Sequence, residues 1–225
     1  MVQLACPSVI AAGAVLDGDL RAGANLVVHP RASLGARAQH RQAGEGSIVL
    51  GANIEVWEGA TVHAGSAVGS GTTRLRDGVM VMAYAHVGHD AQIGSRAVLS
   101  NGVQIGGHVE VGAHAVLGAR AAVHQFVRIG RGAMVAAGSF VVADVPPWSM
   151  VAGDRARLIG ANKRSIGCPE RAGLVRRALR LLRGASPSGS DLLEAFPDAP
   201  EEIRDIAEFL DSPSRRGVCR WGRAS

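Results

Sequence analysis

Aliphatic residues recur every six positions along most of the chain. The repeat falls into three registered blocks with 21 such positions, of which 20 are Ile, Leu or Val and one is Ala. The positions are Ile10, Leu16, Ala22, Val28 and Leu34; Leu50, Val56, Val62 and Val68; and Leu75 followed by every sixth residue up to Val141. A period of six fits neither an α-helix nor the simple alternation of a half-buried strand. It predicts a short strand followed by a turn, repeated many times.

Three strand–turn units that close on themselves form a triangular coil of three times six residues, and stacked coils bury the aliphatic side chains in columns. Glycine often follows the aliphatic residue, as at Gly88 and Gly106, and a small residue often lies four positions after it, as at Ala85 and Ala121. Glycine suits a crowded corner, and a small side chain suits a narrow interior. We therefore predict an all-β solenoid, a parallel β-helix, over residues 1–154.

Two interruptions of the repeat predict loops on the outside of the solenoid. The first separates Leu34 from Leu50 and places a loop at residues 40–47. The second follows Val68 and indicates one inserted residue near Thr73. Insertions in repeat proteins lie on the surface and often form binding sites.

The last part of the chain has a helical pattern instead. One amphipathic run extends from Leu174 to Leu182, with Gly184 as a stop, and another covers residues 203–210, with Pro200 as its first helical residue. We interpret residues 155–225 as a small C-terminal helical domain.

The amino-acid composition agrees with a narrow core. Together with the absence of membrane and signal segments, it also suggests where in the cell the protein is located. Aromatic residues make up only 4% of the chain, whereas there are 30 glycines. No stretch of about 18 apolar residues is present to span a membrane, and the start of the chain lacks the pattern of a signal peptide. Three widely spaced cysteines fit reduced thiols. We expect a cytoplasmic protein.

Positive charge is concentrated in the helical part. The net charge is +5, and residues 154–183 contain nine basic residues but only two acidic ones, Asp154 and Glu170. Such a segment can bind an acidic partner or simply form a solvated face. No aromatic residues interleave with the arginines and no nucleic-acid-binding motif is present, so nucleic acid is not predicted as a partner.

The candidate chemistry lies in the histidines, none of which occupies an aliphatic position of the repeat. Residues one coil apart should be neighbours, about 4.8 Å from each other. This places His89 beside Gly107 and then Gln125, and Asp90 beside His108. A neutral imidazole can accept a proton from a hydroxyl, and an uncovered backbone N–H can stabilise an oxyanion. The combination points to acyl transfer.

Four stretches carry a resemblance to a known family. They are Met82–Asp90, Gly107-His108, Ala122–Phe126 and Asp144–Pro147. They resemble the signature stretches of the UDP-N-acetylglucosamine acyltransferases that begin lipid A synthesis, which are hexapeptide-repeat enzymes with a left-handed parallel β-helix. Ser214–Gly217 and the arginine-rich helix are similar to that family's C-terminal helical domain. The resemblance is close over residues 55–147.

The resemblance implies a role for each matching residue. His89 would be the general base, Asp90 its partner and Gly107 the oxyanion donor. The implied substrate contacts are His63, His86, His108, His124, Gln125 and Arg41. The family also implies a homotrimer with sites between subunits, acyl carrier protein as the acyl donor, a UDP-sugar acylated at its 3-position as the acceptor, and neither a cofactor nor a metal.

This chain departs from the family pattern in four places, one of which is Gly153-Asp154, where the family has Gly-Asn after the prism. It has about two coils fewer before the first loop, by the repeat length. In that loop, Gln39, Arg41 and Gln42 stand where the family has an acid, a lysine and a tyrosine. Gly167–Glu170 replaces a Lys-Arg-Arg-Gly run. The departures concern recognition of the nucleotide more than acyl transfer. Two separate alternatives also stay open, namely acylation of nitrogen instead of oxygen and a coenzyme A thioester as the donor.

Two further alternatives belong to other classes of protein. One is a noncatalytic trimeric scaffold. The other is a zinc protein, because histidines at a subunit interface can form an open metal site. The pair of histidines five residues apart that zinc-dependent carbonic anhydrases of this fold carry is absent here.

We interpret His29 and His114 as surface or corner residues without a chemical role.

Overall fold

The computed structural model describes residues 1–182 and 187–221, and most of the chain forms a three-sided parallel β-helix. Arg183 and the proposed helix stop at Gly184 lie outside the described residues. In the described parts of the chain, no helix combines the length and the apolar character needed to cross a bilayer.

The strands are short and follow one another at each turn of the coil. In chain order they are β1 (Val2–Leu4), β2 (Ser8–Ile10), β3 (Val15–Leu16), β4 (Asp19–Ala22), β5 (Leu26–Val28), β6 (Ser33–Ala36), β7 (Ser47–Leu50), β8 (Glu55–Val56), β9 (Thr61–His63), β10 (Thr72–Leu75), β11 (Met80–Val81), β12 (His86–Val87), β13 (Gln92–Ile93), β14 (Val98–Leu99), β15 (Gln104–Ile105), β16 (Glu110–Val111), β17 (Val116–Leu117), β18 (Ala122–Val123), β19 (Arg128–Ile129), β20 (Met134–Val135), β21 (Phe140–Val141), β22 (Ser149–Ala152) and β23 (Arg157–Ala161).

Every third strand belongs to the same side of the prism. The first sheet runs from β1 through β4 and β7 to β19, the second from β2 to β23, and the third from β3 to β21. From β10 to β21 the register is 18 residues, as in the pairs of His86 with Gln104 and of Gln104 with Ala122, and it shortens to 16 where Met134 of β20 pairs with Met150 of β22. The six-residue repeat thus predicts both the architecture and the pairing.

The aliphatic columns form the core, with exceptions at the first coil and in one loop. From Val28 to Val141 the predicted inward positions are buried, apart from Val68. Ile10 is 38% exposed because no further coil of the described chain packs against that end of the prism. Val68 is 53% exposed in a turn, so its assignment to an inward column is wrong.

Both loops differ from the predicted bounds. The first covers residues 37–46, between β6 and β7, instead of residues 40–47. In the next coil Leu50 pairs with Leu75, which is 25 residues later and therefore seven more than a regular coil. The insertion is consequently a loop at residues 64–71, and not a single residue near Thr73, which is buried in β10. The exposed Val68 lies six residues after Val62 and so fits the repeat by chance. For this reason the sequence pattern did not reveal the loop.

The glycine after each aliphatic residue allows close contact between coils, whereas the left-handed turn conformation occurs at other residues. A Cβ atom on Gly88 would lie 2.7 Å from the amide nitrogen of Gly107, so glycine allows adjacent coils to approach closely. The left-handed turn conformation occurs two residues further on, at non-glycine residues such as Asp90 (φ 62°), His108 (φ 59°) and Phe126 (φ 65°). Successive coils therefore present side chains from the same unusual backbone position.

The described part of the chain after the prism contains four helices: α1 (Lys163–Ile166), α2 (Pro169–Leu181), α3 (Gly189–Ala195) and α4 (Glu201–Asp211). The expected domain boundary at residue 154 falls in the turn between β22 and the antiparallel β23, so β23 still belongs to the second sheet. Helix α4 begins at Glu201, with Pro200 as its N-cap residue and not as its first helical residue. The sequence reading did not predict α3, although Ser188 and Asp191 form its capping box.

After α4 the chain returns to the prism. The amide of Cys219 donates to the Asp144 carbonyl, and the amide of Asp144 donates to the Gly217 carbonyl, both at 2.7 Å. The buried Asp144 carboxylate also accepts a hydrogen bond from Arg128 Nε at 2.8 Å. These contacts hold residues 213–217, here called the C-terminal segment, against the prism.

Candidate active site

The candidate residues lie where the third sheet turns into the first. We call the turns at residues 88–91, 106–109 and 124–127, which belong to three successive coils, the histidine corner. The His108 amide donates to the His89 carbonyl at 2.9 Å, and the Phe126 amide donates to the Gly107 carbonyl at 3.2 Å. The two columns expected from the coil length are therefore present.

His89 and Asp90 form a hydrogen-bonded pair. The Nδ1 atom of His89 lies 2.8 Å from Oδ2 of Asp90, whose side chain has no exposed surface. Burial opposes ionisation of this carboxyl, but hydrogen bonds from His89, Ser66 and Ser70 outweigh it and lower the pKa of Asp90 to about 2. An ionised Asp90 fixes the proton of His89 on Nδ1 and leaves the Nε2 lone pair free.

The loop at residues 64–71 holds the Asp90 carboxylate in place. The carboxylate accepts hydrogen bonds from the backbone N–H and the hydroxyl of Ser66, from the Ser70 hydroxyl and from the Gly71 N–H. The Asp90 amide donates to Thr73 Oγ1 at 2.8 Å. The sequence pattern did not predict these contacts, because it indicated only a single inserted residue near Thr73 and not a loop at residues 64–71.

The His89 ring lies directly over Gly107. A Cβ atom on Gly107 would lie 2.8 Å from Nε2 of His89, so no larger residue fits without displacing the ring. Among the described residues, none accepts a hydrogen bond from the Gly107 amide. A proton acceptor and an available amide donor are thus adjacent, which is the arrangement that acyl transfer requires.

A groove of 410 Å³ opens on the third-sheet side of the histidine corner. It is lined by His89 and Gly107 and by most of the predicted substrate contacts, namely His63, His86, His124 and Gln125, whereas Asp90 lines the groove on the other side of the corner. His86 Nδ1 lies 2.8 Å from the Thr61 hydroxyl, and its ring packs edge-on against His63 at 5.2 Å. Burial, together with the neighbouring His63 and His89, lowers the pKa of His86.

His108 lies on the other side of the corner. Its ring stacks on Phe126 at 4.4 Å and lines a second groove, of 510 Å³, on the first-sheet side. The Nε2 atom of His108 is 4.0 Å from Oδ2 of Asp90. Of the predicted contacts, His108 alone lines the second groove instead of the first.

Two residues of the loop at residues 37–46 lie close to the first groove or to His89, and Arg41 of the same loop does not. Gln39 lines the first groove, and the ring of His40 lies 5.9 Å from that of His89. Arg41 is exposed on the loop and lines neither groove of this protomer. Away from the corner, His29 stacks on Trp57 at 4.2 Å.

His89, Asp90 and His108 have potential ligand atoms within 4.8 Å of one another. The His89 Nδ1 atom and both Asp90 oxygens are already engaged in hydrogen bonds to each other or to the loop. These contacts form a hydrogen-bonded acid–base pair, and of the three side chains they leave the Nε2 atoms of His89 and His108 without a hydrogen bond among the described residues.

Two family models match the chain. The model described as bacterial transferase hexapeptide (six repeats) matches residues 72–107, and that of the second domain of UDP-N-acetylglucosamine O-acyltransferase matches residues 144–219. Solved UDP-N-acetylglucosamine acyltransferases have the same fold. The enzyme from Bacteroides fragilis superposes with a TM-score of 0.86 at 28% identity, covering 94% of this chain and 86% of that one. The enzyme from Arabidopsis superposes with a TM-score of 0.83 at 25% identity, and the match covers 97% of this chain and 84% of the Arabidopsis chain.

Relatives are similar over most of their length. A protein of Bartonella bacilliformis named acyl-(acyl-carrier-protein)–UDP-N-acetylglucosamine O-acyltransferase is 41% identical over 217 residues, which are 91% of this chain and 78% of that protein. A protein of the same name from Burkholderia mallei is 32% identical over 202 residues, which are 84% and 77% of the two chains. With its left-handed parallel β-helix and helical C-terminal part, this chain belongs to the UDP-N-acetylglucosamine acyltransferase family.

Proposed function

We propose that this enzyme transfers a fatty acyl chain from acyl carrier protein to the 3-hydroxyl of UDP-N-acetylglucosamine, the first step of lipid A synthesis. The names of the relatives state this donor and acceptor for those proteins. The observation that carries the proposal is the His89–Asp90 pair at 2.8 Å, with Nε2 of His89 beside Gly107.

In this mechanism His89 Nε2 takes the proton of the sugar hydroxyl while the hydroxyl oxygen attacks the thioester carbonyl carbon. The carbonyl oxygen becomes an oxyanion and is stabilised by the Gly107 amide. The tetrahedral intermediate then collapses, the C–S bond breaks, and the protonated His89 returns the proton to the leaving thiolate. The ionised Asp90 stabilises the imidazolium that forms between the two steps. No covalent enzyme intermediate is needed.

The remaining histidines of the groove would contact the acceptor. His63, His86, His124 and Gln125 line the groove around the reacting pair. A lowered pKa keeps His86 neutral at neutral pH, so that it can donate or accept a hydrogen bond without adding charge.

We further propose that the working enzyme is a homotrimer. A diphosphate needs cationic partners, yet no lysine or arginine of the described chain lines the first groove. A neighbouring subunit that supplies arginines would complete the site, and the exposed Arg41 is available for such a contact. Light scattering should give about three times 23.2 kDa, and a monomer with full activity would contradict this part of the proposal.

The direct test compares His89→Ala with His114→Ala. Both residues lie in turns of the prism, but His114 is exposed and lines neither groove. With acyl carrier protein as the donor and UDP-N-acetylglucosamine as the acceptor, we expect His89→Ala to lose at least about 100-fold in kcat and His114→Ala to match the wild type. Comparable activity of both variants would refute the assignment of the base. Activity only with acyl-coenzyme A would refute the assignment of the donor.

A further inference from the structure

The C-terminal segment reaches the histidine corner from the side opposite to the first groove. The guanidinium carbon of Arg215 lies 4.6 Å from the centroid of the Phe126 ring. Arg216 Nε donates to the Gln125 carbonyl at 2.9 Å. The proposed mechanism uses neither arginine.

Arg215 begins a column of rings that ends at the proposed base. Phe126 stacks on His108 with a centroid distance of 4.4 Å and an angle of 5° between the planes. His108 in turn meets His89 edge-on at 5.0 Å. A cation over a ring face is attracted by the ring's electron density, so Arg215 holds Phe126, and thereby His108, in one orientation.

His108 and His89 compete for the same oxygen. Oδ2 of Asp90 lies 2.8 Å from His89 Nδ1 and 4.0 Å from His108 Nε2. A neutral His108 leaves this oxygen to His89. A protonated His108 would be drawn toward Asp90 and would place a positive charge beside the proposed base, making the base a weaker proton acceptor.

The surroundings of His108 favour its neutral form. Burial lowers the pKa of His108; Asp90 opposes this shift, whereas His89, Arg215 and His40 reinforce it. The other charged residues that line the same groove are Arg74, Glu110 and Arg128. Of the three residues that reinforce the shift, Arg215 alone is charged at every working pH.

We propose that Arg215 is a positioning residue: its cation, acting over the Phe126 ring, keeps His108 neutral and stacked. Asp90 then has a single imidazole partner, His89. This inference rests on the proposed function and adds the C-terminal segment to the residues that set the activity.

The test uses three variants. Arg215→Gln removes the charge, Arg215→Lys keeps it, and Arg220→Gln is the control, because Arg220 lies in the same exposed stretch and lines neither groove. We expect Arg215→Gln to raise the titration midpoint of His108, followed by NMR of its imidazole nitrogens. We also expect kcat/KM at pH 6 to fall about two- to fivefold, the range of one exposed cation–ring contact, with a much smaller loss at pH 8. Arg215→Lys should restore most of the activity at pH 6.

Activity measurements at high salt distinguish the effect of the Arg215 charge from the effect of its side-chain shape. Because the Debye length is about 3 Å at 1 M salt, the difference between Arg215→Gln and the wild type at pH 6 should shrink there. The proposal is overturned if Arg215→Gln titrates like Arg220→Gln, or if Arg215→Lys is as impaired as Arg215→Gln. A fully active His89→Ala would instead overturn the proposed function, and the His108 titration would still decide the role of Arg215.

Discussion

His89 and Asp90 are adjacent in sequence, yet their side chains meet only because Asp90 adopts a left-handed backbone conformation with φ 62°. That conformation turns the carboxylate inward, where the loop at residues 64–71 binds it. The residue that follows the proposed base in the sequence is thereby a buried, ionised partner.

Asp90→Asn should reduce kcat by about 100- to 10,000-fold. The amide cannot stabilise the imidazolium, and it accepts fewer hydrogen bonds from the loop. We expect a loss of about 1–3 kcal/mol in the free energy of unfolding as well. Steady-state kinetics and urea unfolding of the same preparation would separate the two effects. A near-wild-type kcat in Asp90→Asn would show that the pair is not part of the chemistry.

Gly107→Ala tests whether the space between Gly107 and the His89 ring is needed for activity. The new methyl group would lie 2.8 Å from Nε2 of His89 and would displace the ring. We expect kcat to fall by at least about 100-fold. The matched control is Gly160→Ala, because a Cβ atom at Gly160 contacts nothing within 4 Å. If both variants keep full activity, the ring and the Gly107 amide do not act together.

Stability should fall as the solution is acidified, in two stages. His86 and His108 have lowered pKa values in the folded protein, so the unfolded chain binds more protons once the pH falls below about 6.5. Their contribution to the free energy of unfolding is present above this pH and is lost as the pH falls through the folded values. Asp90 adds a second loss between pH 3.8 and about 2.

Urea titrations from pH 7.5 to pH 5 measure the first stage. His86→Gln should flatten this part of the profile, because the side chain no longer titrates. An unchanged slope in the variant would mean that His86 is as easily protonated in the folded protein as in the unfolded chain.

Asp144→Ala should loosen the C-terminal segment. Asp144 is fully buried and paired with Arg128, and removal of one partner of a buried ion pair costs about 3–5 kcal/mol. Asp19→Ala is the control, since its pair with Arg21 is exposed and is worth less than about 1 kcal/mol. Hydrogen exchange at Gly217 and Cys219 should accelerate in Asp144→Ala alone. Equal protection in both variants would contradict this anchoring role.

The six-residue repeat was sufficient to predict the prism and the neighbours of His89. Both depend on a coil of constant length, which the sequence displays directly. The contacts of Asp90 with Ser66 and Ser70 depend on an inserted loop, and Val68 concealed that loop by keeping the expected spacing. The contact of Arg216 with Gln125 joins residues 91 positions apart, through helices whose packing no periodicity encodes.

The register of 18 residues between His86 and Gln104 also limits how this enzyme can change in length. A single residue gained or lost between His89 and Gly107 would leave a solenoid that still folds but would slide the amide donor away from the base. We therefore expect the enzyme to tolerate a length change within this span only as a loop that bulges outward and rejoins in register. In the proposed mechanism, the spacing of these two residues is as much a requirement as their identity.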